Sequence, residues 1–216
     1  DSGDVFRSNK RSDVSIVDST WSVLILLPAI AGAALLPETG PRTACVLALA
    51  ALWAIRLACH ITWRNWGESE DHRYQEIRAR NQPHFKWKSL YLVFALQGLL
   101  AWVVSAPLIA AIASPAPLGW LDALGVTLYA TGFLFESIGD LQLARFSGNP
   151  ANRGKVLDSG FWRYTRHPNY FGEFCIWWGF YLMALSAGAW WAIVSPLLMS
   201  MLLLKVSGVT LLEKDI

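Results

Sequence analysis

Charge is scarce in this 216-residue chain: 16% of its residues are Asp, Glu, Lys or Arg, against 54% hydrophobic, and mean hydropathy is positive. That balance is too apolar for an ordinary soluble domain of this length and points to an integral membrane protein. Net charge is only +2, so the basic surface of a nucleic-acid binder is missing. Cysteine is equally sparse. Cys45, Cys59 and Cys175 are odd in number, fall inside apolar stretches and show no metal-ligand spacing, so they read as small reduced core residues. His60, His72, His84 and His167 form no HxxxH or HExxH pattern, which argues against zinc and di-iron chemistry. No GxGxxG follows a strand and no alternating βα pattern exists, so a Rossmann domain is excluded. Any redox chemistry has to come from an organic cofactor. There is no internal repeat, low-complexity tract, soluble second domain or signal-peptide pattern.

Long apolar segments are what the chain does have. A helix needs ~20 mostly apolar residues to cross a bilayer, and six segments approach that length: 19–36, 43–63, 90–113, 118–135, 173–187 and 189–204. The last two are joined by a Ser-Ala-Gly turn and read as a tight helical hairpin. The expected fold is all-α, a polytopic bundle of about six transmembrane helices. A polar arm at 1–12 precedes a single transmembrane domain at 13–216. The arm has no initiator methionine, so the numbering is read as starting inside a longer chain, with an upstream span left open.

The cations test this layout independently. With six spans, one face receives Arg7, Lys10 and Arg11, the connection bearing Arg64, Arg73, Arg78, Arg80, Lys86 and Lys88, the connection bearing Arg145, Arg153, Lys155, Arg163 and Arg166, and Lys205 and Lys214. The opposite face receives Arg42 alone, and Arg56 lies within a span. Such asymmetry is what the positive-inside rule expects, with both termini cytoplasmic. For the connection from Arg64 to Lys88, topology and attraction to anionic membrane lipids explain the charge equally well. The connection from Arg145 to Pro168 has turn signals at Gly148-Asn149-Pro150 and Asn152-Arg153-Gly154, and it ends at a proline suited to a first helical turn. Arg163, Arg166, His167 and the free N–H groups of that helix start make an anion site, for which phosphate is the natural guest.

Ionisable groups inside spans are costly and by default functional or paired. Arg56, His60 and Arg64 recur every four residues on the second span, Glu136 and Asp140 do so on the fourth, and Asn169 and Glu173 on the fifth. Three polar stripes near one face are expected to converge on an internal cavity open to the cytoplasm. The plainer alternative is a set of buried ion pairs that fix helix packing. Most of the tryptophans, Trp177 and Trp178 among them, are assigned to interfacial anchoring.

The run FLFESIGDLQLARFSGNPANRGKVLDSGFWRYTRHPNYFGE at 133–173, with DVSIVDSTW at 13–21 and WRNWGESEDHRYQ at 63–75, resembles the steroid 5-alpha-reductase-like membrane family. The branch it looks like is the bacterial-type group of domain-of-unknown-function 1295 proteins. The resemblance implies an NADPH-dependent reductase of a C=C bond conjugated to a carbonyl, in a sterol or other flat lipid, with the cofactor in a cytoplasm-facing pocket of the bundle. It places Asp140, Asn169 and Glu173 as cofactor contacts. Glu136, Arg145, Asn152, Arg153, Arg163, Tyr164, Arg166, His167 and Tyr170 join them by motif context. The characterised steroid reductases use an early glutamate with a tyrosine on a following helix. Here the early position corresponds to Asp18, and the second span offers Arg56 and His60 but no tyrosine, so Asp18, Arg56 and His60 are the catalytic candidates. Relatives continue past the position of Ile216 with a Tyr-rich, basic tail that closes over the cofactor.

Two other classes compete. Isoprenylcysteine-type membrane methyltransferases share an Arg-His-Pro-x-Tyr-x-Gly run and bind S-adenosylmethionine, but that ligand has no phosphate for the Asn-Arg-Gly-Lys run to neutralise. A non-catalytic membrane subunit or lipid-binding scaffold would keep the fold without the chemistry. The expected partners are a lipophilic small molecule and membrane lipids, with a membrane-complex partner left open. The expected location is a bacterial inner membrane or a eukaryotic endomembrane or organelle membrane.

Overall fold

The computed structural model describes residues 16–67 and 72–206, and among these every regular element is helical. The polar arm at 1–12 and the LLEKD segment near the C-terminus lie outside the described residues. Helix α1 (Ile16–Leu35) carries Asp18 in its first turn, where a carboxylate suits the positive end of the helix dipole. Helix α2 (Pro41–Arg64) starts on a proline, whose missing N–H belongs to a group that has no intrahelical partner anyway. A short polar helix, α3 (His72–Arg80), follows.

The third expected span, 90–113, is interrupted. Helix α4 (Phe85–Ser89) runs through a π-helical stretch, Leu90–Ala95, into α5 (Leu96–Val104), and the chain restarts as α6 (Ala106–Ile112). Pro107 is the cause, because it has no N–H to give to the preceding turn and its ring crowds the carbonyl four residues back. The Ser105 carbonyl instead accepts from Leu108 and Ile109 at 3.0 and 3.1 Å, beginning the new helix. The Val104 carbonyl, stranded at the break, accepts from Ser195 Oγ at 2.7 Å.

Helix α7 (Trp120–Ser147) runs well past the apolar segment 118–135, because nothing breaks it before Gly148-Asn149-Pro150. At ~1.5 Å per residue its length exceeds the ~30 Å hydrocarbon core. Helix α8 (Pro168–Ser186) starts at the expected proline, ahead of the apolar segment 173–187, so Asn169 sits in its first turn. Gly188, at φ +85°, makes the expected tight turn, and α9 (Val194–Met201) follows. Among the described residues, four segments are long and apolar enough to cross a membrane: Val17–Leu35, Pro41–Arg64, Trp87–Val104 and Trp120–Ser147.

The chain divides into two compact units, one drawn from Asp1–Leu27 and Ala51–Val103, the other from Pro28–Ala50 and Val104–Ile216. In the first, Val17, Tyr74, Phe85 and Val93 form a small core with Ile77 against it, and Ser22 Oγ donates to the Ala54 carbonyl at 2.8 Å. The second is organised by the antiparallel pair α7 and α8. Gly125, Gly132 and Gly139 are seven apart on one face of α7 and meet Gly179, Gly172 and the Pro168–Asn169 turn of α8. A methyl group on Gly132 would overlap the Gly172 carbonyl, and one on Gly125 would lie 2.7 Å from the Gly179 carbonyl. Small residues at such a seam let two backbones touch, which is how helices associate where no hydrophobic force separates protein from lipid.

Arg42 and Asp122 close one end of the second unit. Arg42 Nε and Nη2 donate to the two Asp122 oxygens at 2.8 and 2.9 Å, and both residues are 1% exposed. The remaining Arg42 donors reach Ser114 Oγ at 3.0 Å and the Pro117 carbonyl at 3.0 Å, while Ser186 Oγ and the Gly119 N–H donate to Asp122. With its guanidinium donors occupied, Arg42 is a packing element and not an anion site. Trp177 is likewise no interfacial anchor: it is 0% exposed in the interior. Nor are the cysteines alike, since Cys175 is buried, Cys45 is half-buried and Cys59 is exposed.

Candidate functional site

The expected site residues divide between the units. Asp18, Arg56 and His60 belong to the first, and every candidate cofactor contact belongs to the second.

In the first unit, the Asp18 carboxylate accepts a 2.5 Å hydrogen bond from the Tyr74 phenol. Tyr74 is buried in the Val17–Phe85–Val93 core, and Asp18 lies one residue after Val17, so the same packing that seats the ring delivers its hydroxyl to the carboxylate. A carboxylate and a phenol thus meet in the first unit, the phenol coming from the cationic connection rather than from a span. Arg56 and His60 are half-buried on α2, His60 lies 6.2 Å ring to ring from Trp63, and Arg64 is exposed. Beside them a shallow apolar groove is lined by Ala58, Cys59, Thr62, Trp63 and Trp66.

In the second unit, the glycine seam brings carboxylates and amides together. Gly172 packs against the backbone of Glu136, so α8 lies directly over that residue, one turn before Asp140. Asn169 Nδ2 donates to Asp140 Oδ1 at 3.1 Å, and Asn169 Oδ1 accepts the Tyr170 N–H at 3.1 Å. Glu173 Oε1 accepts the Trp177 indole N–H at 2.8 Å. Glu136, Asp140 and Glu173 are 3%, 7% and 7% exposed, an unusual depth for three carboxylates on two adjacent helices. His167, half-buried, stacks on Tyr170 with ring centres 5.4 Å apart and makes no side-chain cap bond to the α8 start that follows it.

The cationic connection is exposed. Arg145, Arg153, Lys155, Arg163 and Arg166 all face outward, as does Tyr164 at 82% exposure. Arg145, Arg153, Lys155 and Arg163 have no ion-pair partner among the described residues, and Asp158 is the sole acid between positions 145 and 168. Asn152 is turned inward: its Nδ2 donates to the Phe146 carbonyl at 2.9 Å, finishing the end of α7, so its oxygen and one amide hydrogen are left for a ligand.

This set of motifs, spread from Asp18 to Glu173, coincides with a known family. The chain belongs to the family described as "Protein of unknown function (DUF1295)", whose model matches residues 6–216. No curated protein and no solved structure matches the chain. Two features of this DUF1295 protein escaped the sequence. Tyr74 is separated from Asp18 by 56 positions and carried no spacing signal, and Arg42 lies 80 positions from Asp122. The glycine seam was visible in principle as a sevenfold repeat on each helix.

Proposed function

We propose that this DUF1295 protein is a membrane-embedded, NADPH-dependent reductase of a carbon–carbon double bond conjugated to a carbonyl, acting on a sterol-like or other lipophilic substrate. The observation that carries the reading is the Asp140–Asn169 pair at the first turn of α8, joined to a connection in which Arg145, Arg153, Lys155 and Arg163 have no carboxylate partner among the described residues. The donor set suits a dinucleotide phosphate. Arg145, Arg153, Lys155, Arg163 and Arg166 match phosphate oxygens, and Asp140, Asn169 and Glu173 match ribose hydroxyls or a carboxamide. Glu136, Asn152, Tyr164, His167 and Tyr170 flank that set. The likeness of the 133–173 run to the steroid 5-alpha-reductase-like family supports the same assignment.

NADPH supplies a hydride when bound. The β-carbon takes up the hydride and the carbonyl oxygen a proton. The resulting enol tautomerises to the saturated carbonyl by losing the proton at oxygen and gaining one at the α-carbon; the proton at oxygen is the chain's own contribution. Tyr74, whose single phenolic hydrogen is held by Asp18 in the free protein, is assigned to turn that hydrogen to the substrate carbonyl oxygen as enolate charge develops, with Arg56 and His60 as further donors. In this reading the chain crosses the membrane six times, the four long apolar segments being joined by α8 and the segment Trp190–Lys205. Both termini and the cationic connections then face the cytoplasm.

One observation favours a non-catalytic scaffold instead: Asn169, Glu173 and Asn152 already have partners within the protein. Thermal unfolding of the purified protein with NADPH, NADH or S-adenosylmethionine separates the readings, because a ligand that binds only the folded state raises its melting temperature. NADPH is expected to stabilise it, and Asp140→Ala and Asn169→Ala are expected to abolish the effect. A shift with S-adenosylmethionine alone reassigns the protein to the methyltransferases. No shift with any ligand leaves the scaffold.

A further inference from the structure

We infer that residues 149–167 form a pre-organised arm, and that Gln142 and Trp162 are the positioning residues that hold its cations for the phosphate end of the nucleotide. The inference rests on the NADPH reading and adds to it the means by which NADPH is preferred over NADH. An arm with four cations, Arg153, Lys155, Arg163 and Arg166, and one acid, Asp158, repels itself, and free in water it would extend. Here it is tied to three successive positions on one face of α7. The Phe161 ring stacks on Phe135 with centroids 4.3 Å apart and planes 7° from parallel. The Trp162 indole N–H donates to the Gly139 carbonyl at 3.0 Å. The Phe161 backbone N–H donates to Gln142 Oε1 at 3.0 Å. Positions 135, 139 and 142 are four and three apart, so they line one side of the helix.

Gly160 makes this closure sterically feasible. Its φ of +61° lies in the left-handed region, and a side chain there would fall inside the Gln142 amide. The Gly139 carbonyl is a helix-interior acceptor with a second lone pair, so Trp162 uses it without breaking the helix ladder. The outcome is an ordered arm whose Arg153, Lys155 and Arg163 have no ion-pair partner among the described residues, beside the equally unpaired Arg145 in the last turn of α7. Ordering like charges in advance is unfavourable in the free protein, and it is repaid when a polyanion arrives and no longer has to order them. The 2′-phosphate distinguishes NADPH from NADH, so the arm's order should appear in that ratio.

The test uses Trp162→Phe, which keeps the ring and removes the N–H, and Gln142→Leu, which removes the acceptor. The full-length protein is digested with trypsin, and NADPH and NADH dissociation constants are obtained from thermal-shift titrations. Wild-type protein is expected to resist cleavage after Arg153, Lys155 and Arg163, and both variants to be cut about tenfold faster as the arm opens. The preference for NADPH over NADH is expected to shrink by about tenfold, with NADH affinity nearly unchanged. Equal cleavage of wild type and variants overturns the clamp, and an unchanged nucleotide ratio overturns its role in specificity. Protection that the variants lose, in a wild type that binds neither nucleotide, removes the NADPH reading and leaves the clamp standing.

Discussion

Tyr74 donates a 2.5 Å hydrogen bond to Asp18, and its ring is packed in the core that also seats Val17, the neighbour of Asp18. A phenol and a carboxylate placed in this way hold a hydrogen at a defined oxygen. That is the requirement for protonating a carbonyl oxygen, and it is also a stabilising contact, so the two roles have to be separated by experiment.

Tyr74→Phe keeps the ring and removes the hydroxyl. Stability is expected to fall by about 1 kcal/mol, the usual net worth of one hydrogen bond. Reduction of a lipophilic enone with NADPH is expected to fall by about a hundredfold or more, as for loss of a positioned general acid. Turnover within a few-fold of wild type would leave Tyr74 a packing residue.

The Arg42–Asp122 pair is buried and hydrogen-bonded throughout. Asp122→Ala leaves a buried guanidinium without its carboxylate and is expected to cost about 3–5 kcal/mol, read as unfolding in detergent. The double change Arg42→Met with Asp122→Leu removes both charges and is expected to recover most of that loss. A double variant no better than the single one would mean that the pair is needed for folding itself.

Gly132→Ala and Gly172→Ala push a methyl into the facing backbone, so each is expected to destabilise by about 1–3 kcal/mol or more. Because the same seam sets the Asp140–Asn169 distance, NADPH binding should weaken in parallel. Gly98→Ala is the control. Nothing lies within 4 Å of a methyl there, and the change is expected to stabilise α5 by about 0.5–1 kcal/mol.

Salt should discriminate the two nucleotides. The cations of the arm are solvent-exposed, and the Debye length drops from ~10 Å at 0.1 M to ~3 Å at 1 M, so NADPH affinity is expected to fall steeply across that range. NADH, with one phosphate fewer, is expected to lose less. Identical salt slopes for both would place the 2′-phosphate away from Arg145, Arg153, Lys155 and Arg163.

The residues that could be anticipated were those whose partners are local. Glu136 and Asp140, or Asn169 and Glu173, share a helix face because four residues nearly complete one turn, and no tertiary information is needed to see it. Pro168 marked a helix start for the same reason. The apolar segment 90–113 misled because hydropathy records burial in lipid and is blind to a single missing N–H at Pro107. The fourth helix runs on past the apolar segment that ends at 135 because a helix continues until its backbone is interrupted, whatever the polarity of its side chains.

Composition and periodicity alone therefore determined that this is a helical membrane protein with polar groups at set heights on its helices. Tertiary structure decided which of those groups meet. Tyr74 reaches Asp18, Arg42 reaches Asp122 and Trp162 reaches the Gly139 carbonyl across 56, 80 and 23 positions of chain. Such contacts depend on how closely two backbones approach and in what register, which between α7 and α8 is set by glycines that leave room for a neighbour, and a one-dimensional pattern does not specify which neighbour that is.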